Sequence, residues 1–122
     1  MPTHPTDHPR IIFKICPRSE WDMAIRAGRY GGSAHDRRDG FIHFSAGNQL
    51  AATAAKHFRD QPDLVLVAVD AVALGDALRW EPSRGGDLFP HLYGVLPVSA
   101  ATAVTELMLD SDGMPVLPEL TP

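Results

Sequence analysis

The chain of 122 residues, 44% hydrophobic and 21% charged, suits one globular domain able to build a core without covalent staples. A formal net charge of −4 argues against wrapping a nucleic-acid backbone, and the lone cysteine, Cys16, excludes an intrachain disulfide. No apolar run reaches membrane-spanning length and Met1 to Arg10 lacks a signal-peptide core, so a cytoplasmic protein with no membrane partner is expected.

Residues 1–10, with Pro2, Pro5 and Pro9, read as a disordered tail. Within it, Pro2-Thr3-His4 is an amino-terminal pattern that chelates copper or nickel adventitiously. Ile11 to Ile15 is β-branched and reads as a strand. Its end, Cys16, is expected to be a buried, inert thiol. Ser19 and Asp22 resemble a capping box, and Trp21, Ala24 and Ile25 an apolar helical stripe that stops at Gly28. Arg29 to Gly40 reads as a loop from its glycines, Ser33 and its aspartates. "FIHFS", Phe41 to Ser45, is a short strand. The alanine-rich run Ala46 to Phe58 is a helix capped by Ser45.

Leu64 to Val69, "LVLVAV", predicts a strand buried on both faces. "DAVALGD" follows as a short turn or helical segment. "ALRWEPS" is a strand interrupted by Pro82, "RGGD" a tight turn, and "LFPHLYG" a returning strand whose Pro90 places it near an edge. Val98 to Leu109 ends in a β-leaning run, and "DSDG" turns the chain again. The order strand–helix–strand–helix, then mostly strands, favours an α+β domain over 11–117, with a short tail at 118–122.

Two stretches concentrate chemistry. In "DGFIHFS", alternation puts Phe41, His43 and Ser45 on one strand face, just before a helix. The functional reading is an acid–base or ligand-binding histidine in a cleft. The plain alternative is a core histidine satisfied by the backbone. In "RWEPSRGGDLFPHLYG", Trp80 and Glu81 face opposite ways, Arg84 and Asp87 flank two glycines, and His91 and Tyr93 share a face. Glu81 fits an acid–base role, Arg84 an anion clamp, and His91, Tyr93 and Trp80 a pocket wall. The plain alternative is a hairpin with packing aromatics. No histidine pair has zinc-helix spacing. A site from His35, Asp36, Asp39 and His43 is conceivable, but no metal is assigned. Dinucleotide, P-loop and hydrolase signatures are absent.

The blocks "EWDMAIRAGRYGGSAHDRRDGFIHFS", "QLAATAAKHF", "DLVLVAVD" and "LRWEPSRGGDLFPHLYG" together resemble the bacterial domain-of-unknown-function family nine hundred and fifty-two, from Ile11 to Leu117. The resemblance implies a fold similar to ADP-ribosyltransferases, two helices packed on a split, mostly antiparallel sheet whose cleft takes NAD. It places Asp39, His43, Ser45, Trp80, Glu81, Arg84, His91 and Tyr93 in the signature blocks. On that basis His43 and Glu81 are the expected catalytic pair. Asp39, Ser45, Trp80, Arg84, His91 and Tyr93 are the expected contacts to a small anionic ligand. No cofactor is assigned, and NAD enters only as a substrate. ADP-ribosyl transfer and a non-catalytic module that binds a small ligand or a protein both stay open. Oligomeric state, substrate and acceptor are not fixed at this level.

Overall fold

The continuously apolar run Leu64–Asp70 forms the strand on which the rest of the chain is laid. The computed structural model describes residues 8–120, and this strand, β4, sits centrally in an antiparallel three-stranded sheet. Its partners are β1 (Ile11–Pro17) and β8 (Ala101–Leu107). Successive side chains of a strand point to opposite faces. Val65, Val67 and Val69 therefore enter one core, while Leu64 and Leu66 enter another. Strand β1 divides the same way: Ile12 and Cys16 to the first core, Phe13 and Ile15 to the second. Each such side chain, taken fully out of water, contributes about 1.5–3 kcal/mol. The expected two-faced burial of β4 is borne out.

The first core lies beneath helix α1 (Arg18–Ala27), which buries Trp21 and Ala24 and leaves Ile25 exposed. The expected Ser19 capping box is absent. Helix α1 starts at Arg18 with no side-chain cap, and Arg18 N–H donates to the Asp63 carbonyl at 2.7 Å. The helix stops at Gly28 in the left-handed conformation, φ 82°. Two short strands follow as a pair, β2 (Arg29–Tyr30) and β7 (Leu96–Pro97).

The expected loop before Phe41 contains a six-residue helix, α2 (Ala34–Asp39). A capping box fixes it: Ser33 Oγ accepts from Asp36 N–H at 3.1 Å, and Asp36 Oδ2 accepts from Ser33 N–H at 2.9 Å. After Gly40 comes β3 (Ile42–His43), paired with β6 (Leu88–Leu92), which also pairs with β5 (Leu78–Pro82). Strand β6 is thus central in its sheet, against the edge position expected from Pro90. The ladder to β3 is only two residues long. Pro90 accepts from Phe44 N–H at 2.9 Å but has no N–H to return.

Ser45 joins the two larger sheets rather than capping a helix. Its backbone exchanges hydrogen bonds with Phe13 at 2.8 and 2.9 Å. The alanine-rich helix begins later, as a 3-10 turn at Gly47–Gln49 leading into α3 (Leu50–His57). Leu50 and Ala54 of α3 cover the second core. Among the described residues the domain is α+β, every strand pair is antiparallel, and there are three α-helices where two were expected.

The tail expectation for residues 1–7, with the His4 chelate, lies outside the described residues. Within the rest of 1–10, Arg10 pairs with Asp70 at 3.1 Å, and the His8 ring stacks on Trp80 at 4.1 Å. At the other end, Leu117 and Leu120 both pack on the second core. No helix among the described residues is long and apolar enough to cross a membrane.

Candidate functional site

Strand register decides what meets in the site. His43 of β3 lies directly opposite His91 of β6, which sets the two imidazoles side by side, ring centroids 5.4 Å apart. Phe41 lies against both, 4.6 Å from the His43 ring and stacked at 4.1 Å on His91. A cleft of about 600 Å³ opens beside them, bounded by residues of β1, α2, β3, α3 and β6. Its polar wall includes Lys14, His35, Asp39, His43, His57 and His91.

Each of the two imidazoles is held from behind by a carboxylate. Asp36, 2% exposed, accepts from His43 Nδ1 at 2.6 Å and from His43 backbone N–H at 3.2 Å. The same carboxylate takes Lys14 Nζ at 2.8 Å. Lys14 reaches it from β1, on the strand face it shares with Ile12 and Cys16. Burial alone would raise the Asp36 pKa. The bonds from His43, Lys14 and Ser33 outweigh burial and hold it well below the usual carboxylate range. Asp36 is therefore ionised and purely an acceptor, so His43 Nδ1 carries a proton. That turns His43 Nε2 outward, 3.0 Å from Asp39 Oδ2.

The second dyad is built within one sheet. His91 Nδ1 and Tyr93 Oη both donate to Glu81 Oε1, at 2.8 and 2.7 Å. Those bonds, Tyr93's first, draw the Glu81 pKa down, and the bond to Glu81 draws the Tyr93 pKa up. Burial pushes the His91 pKa down, against the opposing pull of Glu81. The expected shared face of His91 and Tyr93 is what brings both to one carboxylate.

The expected site residues separate into groups. His43, Asp39, Ser45 and His91 line the cleft. Ser45 is buried, its hydroxyl 3.0 Å from Thr53 Oγ1. Glu81 stands behind His91 and reaches the cleft only through it. Tyr93 stands beside Glu81, with the Arg79 guanidinium 4.9 Å from its ring centre. Trp80 packs against the first core beneath His8, away from the cleft. The side-chain role expected of Arg84 lies outside the described residues.

Sequence reasoning passed over Lys14 and gave Asp36 no structural part. Both carried a signal. Lys14 is a lone charge inside a buried strand, and Ser33-x-x-Asp36 has capping-box spacing.

Residues 15–104 match the family described as Protein of unknown function (DUF952). The chain belongs to this family. Among solved structures, the DUF952 chain is similar to protein CC0527 from Caulobacter crescentus. The crystal structure of CC0527 is 57% identical, covers 87% of this chain and 93% of its own, and superposes with a TM-score of 0.85. The solution NMR structure of CC0527 gives 56% identity, 88% and 92% coverage and a TM-score of 0.79. No curated protein matches this chain.

Proposed function

We propose that this DUF952 domain binds a small anionic ligand of the NAD or ADP-ribose class in the cleft beside His43 and His91. The supporting observation is the pair of facing imidazoles, each fixed at Nδ1 by its own carboxylate, on the wall of a cleft of about 600 Å³. That volume suits a small molecule. An imidazole fixed at Nδ1 turns Nε2 to its other side, as donor or acceptor according to its charge; in His43 that atom meets Asp39 at 3.0 Å, a contact a ligand shares or displaces. His35, His57 and Lys56 add further cationic or neutral donors, while the charge of Asp36 is already met by Lys14. The NAD class, and an ADP-ribosylation-like fold around the cleft, come from the resemblance of the two signature blocks that supply His43 and His91.

Binding is favoured over transfer by the placement of Glu81. ADP-ribosyl transfer breaks the nicotinamide–ribose bond through a cationic sugar, which a carboxylate at the sugar would stabilise. Glu81 does not line the cleft, and its Oε1 already accepts from His91 and Tyr93. Titration calorimetry with NAD and with ADP-ribose tests the reading. Saturable binding that His43→Ala and His91→Ala each weaken supports it; no heat at millimolar ligand overturns it. Release of nicotinamide from NAD would instead restore transfer.

A further inference from the structure

One cluster shares His43 with the first dyad and extends it across the cleft wall. His35 and Asp39 lie one helical turn apart on α2 and so share a face. Gly40, in the left-handed conformation at φ 88°, ends the helix and folds the chain back, bringing His43 to that same face. His43 Nε2 and His35 Nε2 stand 3.0 and 3.4 Å from Asp39 Oδ2, and donor atoms of the three residues lie within 4.8 Å of one another.

We propose that His35, Asp39 and His43 bind a divalent transition-metal ion of the zinc class on the cleft wall. The first argument is distance. Ligands about 2.0–2.2 Å from a tetrahedral zinc stand about 3.3 Å from one another. The two His–Asp separations bracket that value, and the two imidazoles have ligand atoms within 4.8 Å of each other. The second argument is orientation, and it is independent of the first. A metal-binding imidazole ordinarily donates its other N–H to a carboxylate, which fixes the tautomer and raises ligand basicity. Asp36 does this for His43 at 2.6 Å, and Asp36 is itself locked by Lys14 and by Ser33 N–H. A buried, ionised carboxylate behind Nδ1 leaves Nε2 as the ligating atom, and Nε2 faces Asp39.

The donor set narrows the ion. Two imidazoles and one carboxylate suit zinc, cobalt, nickel or ferrous iron better than calcium or magnesium, which take oxygen ligands. Three protein ligands leave at least one position open, and the site lies on the cleft wall. One adjustment is required. Arg38 donates to His35 Nδ1 at 2.6 Å, which implies that Nε2 carries the proton. Metal binding at Nε2 needs the opposite tautomer, so Arg38 must swing away. Its side chain is 70% exposed, and the 3.8 Å contact it also makes with Asp39 Oδ1 is a loose surface pair that can give way. The inference does not rest on the anionic-ligand reading. If both hold, a ligand phosphate is the natural occupant of the open position, and His43 meets it through the ion.

The test is Zn²⁺ titration by calorimetry on the metal-stripped full chain, with Co²⁺ absorption as a coordination readout. Expected is uptake of one Zn²⁺ per chain and visible Co²⁺ bands of low coordination number. His35→Ala and Asp39→Asn alter side chains 51% and 37% exposed, so the fold should survive, and each should weaken binding at least about tenfold. Asp36→Asn, which touches no metal, should weaken it by about 10–100-fold. Arg38→Ala should leave affinity unchanged or tighten it. Absence of stoichiometric uptake overturns the proposal. So does wild-type affinity in both His35→Ala and Asp39→Asn, which would move the ion elsewhere, His4 included.

Discussion

Nδ1 of His43 lies 2.6 Å from Oδ1 of Asp36, and that contact fastens the chemistry of the cleft to the core of the fold. The same carboxylate holds Lys14, 22 residues earlier in the chain, so β1, α2 and β3 all converge on it. Disturbing Asp36 therefore tests fold and site together.

Asp36→Ala leaves the Lys14 ammonium buried without its partner. Breaking a buried pair from one side costs about 3–5 kcal/mol, and urea denaturation should show a loss of that size. The double replacement Lys14→Met with Asp36→Leu removes both charges and should recover most of it. A single variant that loses less than about 1 kcal/mol would mean the pair is not desolvated as its burial indicates.

Acidification should lower stability in two stages. The His91 pKa is held below its unfolded value of about 6.5, and the Asp36 pKa below about 3.9. A group whose folded pKa is depressed stabilises the fold above its unfolded pKa and loses that contribution as pH falls. Tm should begin to drop below about pH 6.5 from His91, and drop further below about pH 4 from Asp36. Asp70 and Glu81 shift in the same direction but are solvent-screened and add little. Thermal melts from pH 8 to 2 check both stages, and a flat Tm across either window removes that group from the account.

Glu81→Ala should lower the His91 pKa further. Burial already pushes it down, and Glu81 is the largest influence pulling it up. Histidine ring-proton NMR titration reads this directly. An upward movement of the His91 midpoint would contradict the dyad.

Gly32→Ala should destabilise the protein by about 1–3 kcal/mol. Gly32 has φ 99°, and a Cβ there would meet Asp36 Cβ at 2.9 Å and Ile42 Cγ1 at 3.3 Å. The substitution strains the backbone and pushes on the carboxylate that orients His43. Chemical denaturation with unchanged stability would show that the α2 turn yields without cost.

Cys16 should be inert toward thiol reagents in the folded protein at pH 8. Burial pushes its pKa up to about 12, so almost no thiolate is present. One thiol should react at once in denaturant. Fast modification without denaturant would show that the first core opens readily.

The sequence by itself determined the local periods. The unbroken apolar run of β4 could only be a strand with two buried faces, because alternate side chains must leave in opposite directions. The same alternation put Phe41 with His43 on one face, and His91 with Tyr93 on another. Tertiary structure decided everything that depends on who lies opposite whom. His43 faces His91 only because β3 docks on β6 in that register, and a slip of one residue would turn it away. Helix α2 was hidden by its glycine- and aspartate-rich setting, since propensity is too weak to reveal a six-residue helix held by a capping box and a buried ion pair. Trp80 adjoins the expected pocket in sequence yet points away from it in space, and Glu81 reaches the cleft only through His91. Lys14 and Asp36 carry the site because a charge buried beside a core strand needs its partner within reach, and the fold alone supplies that partner.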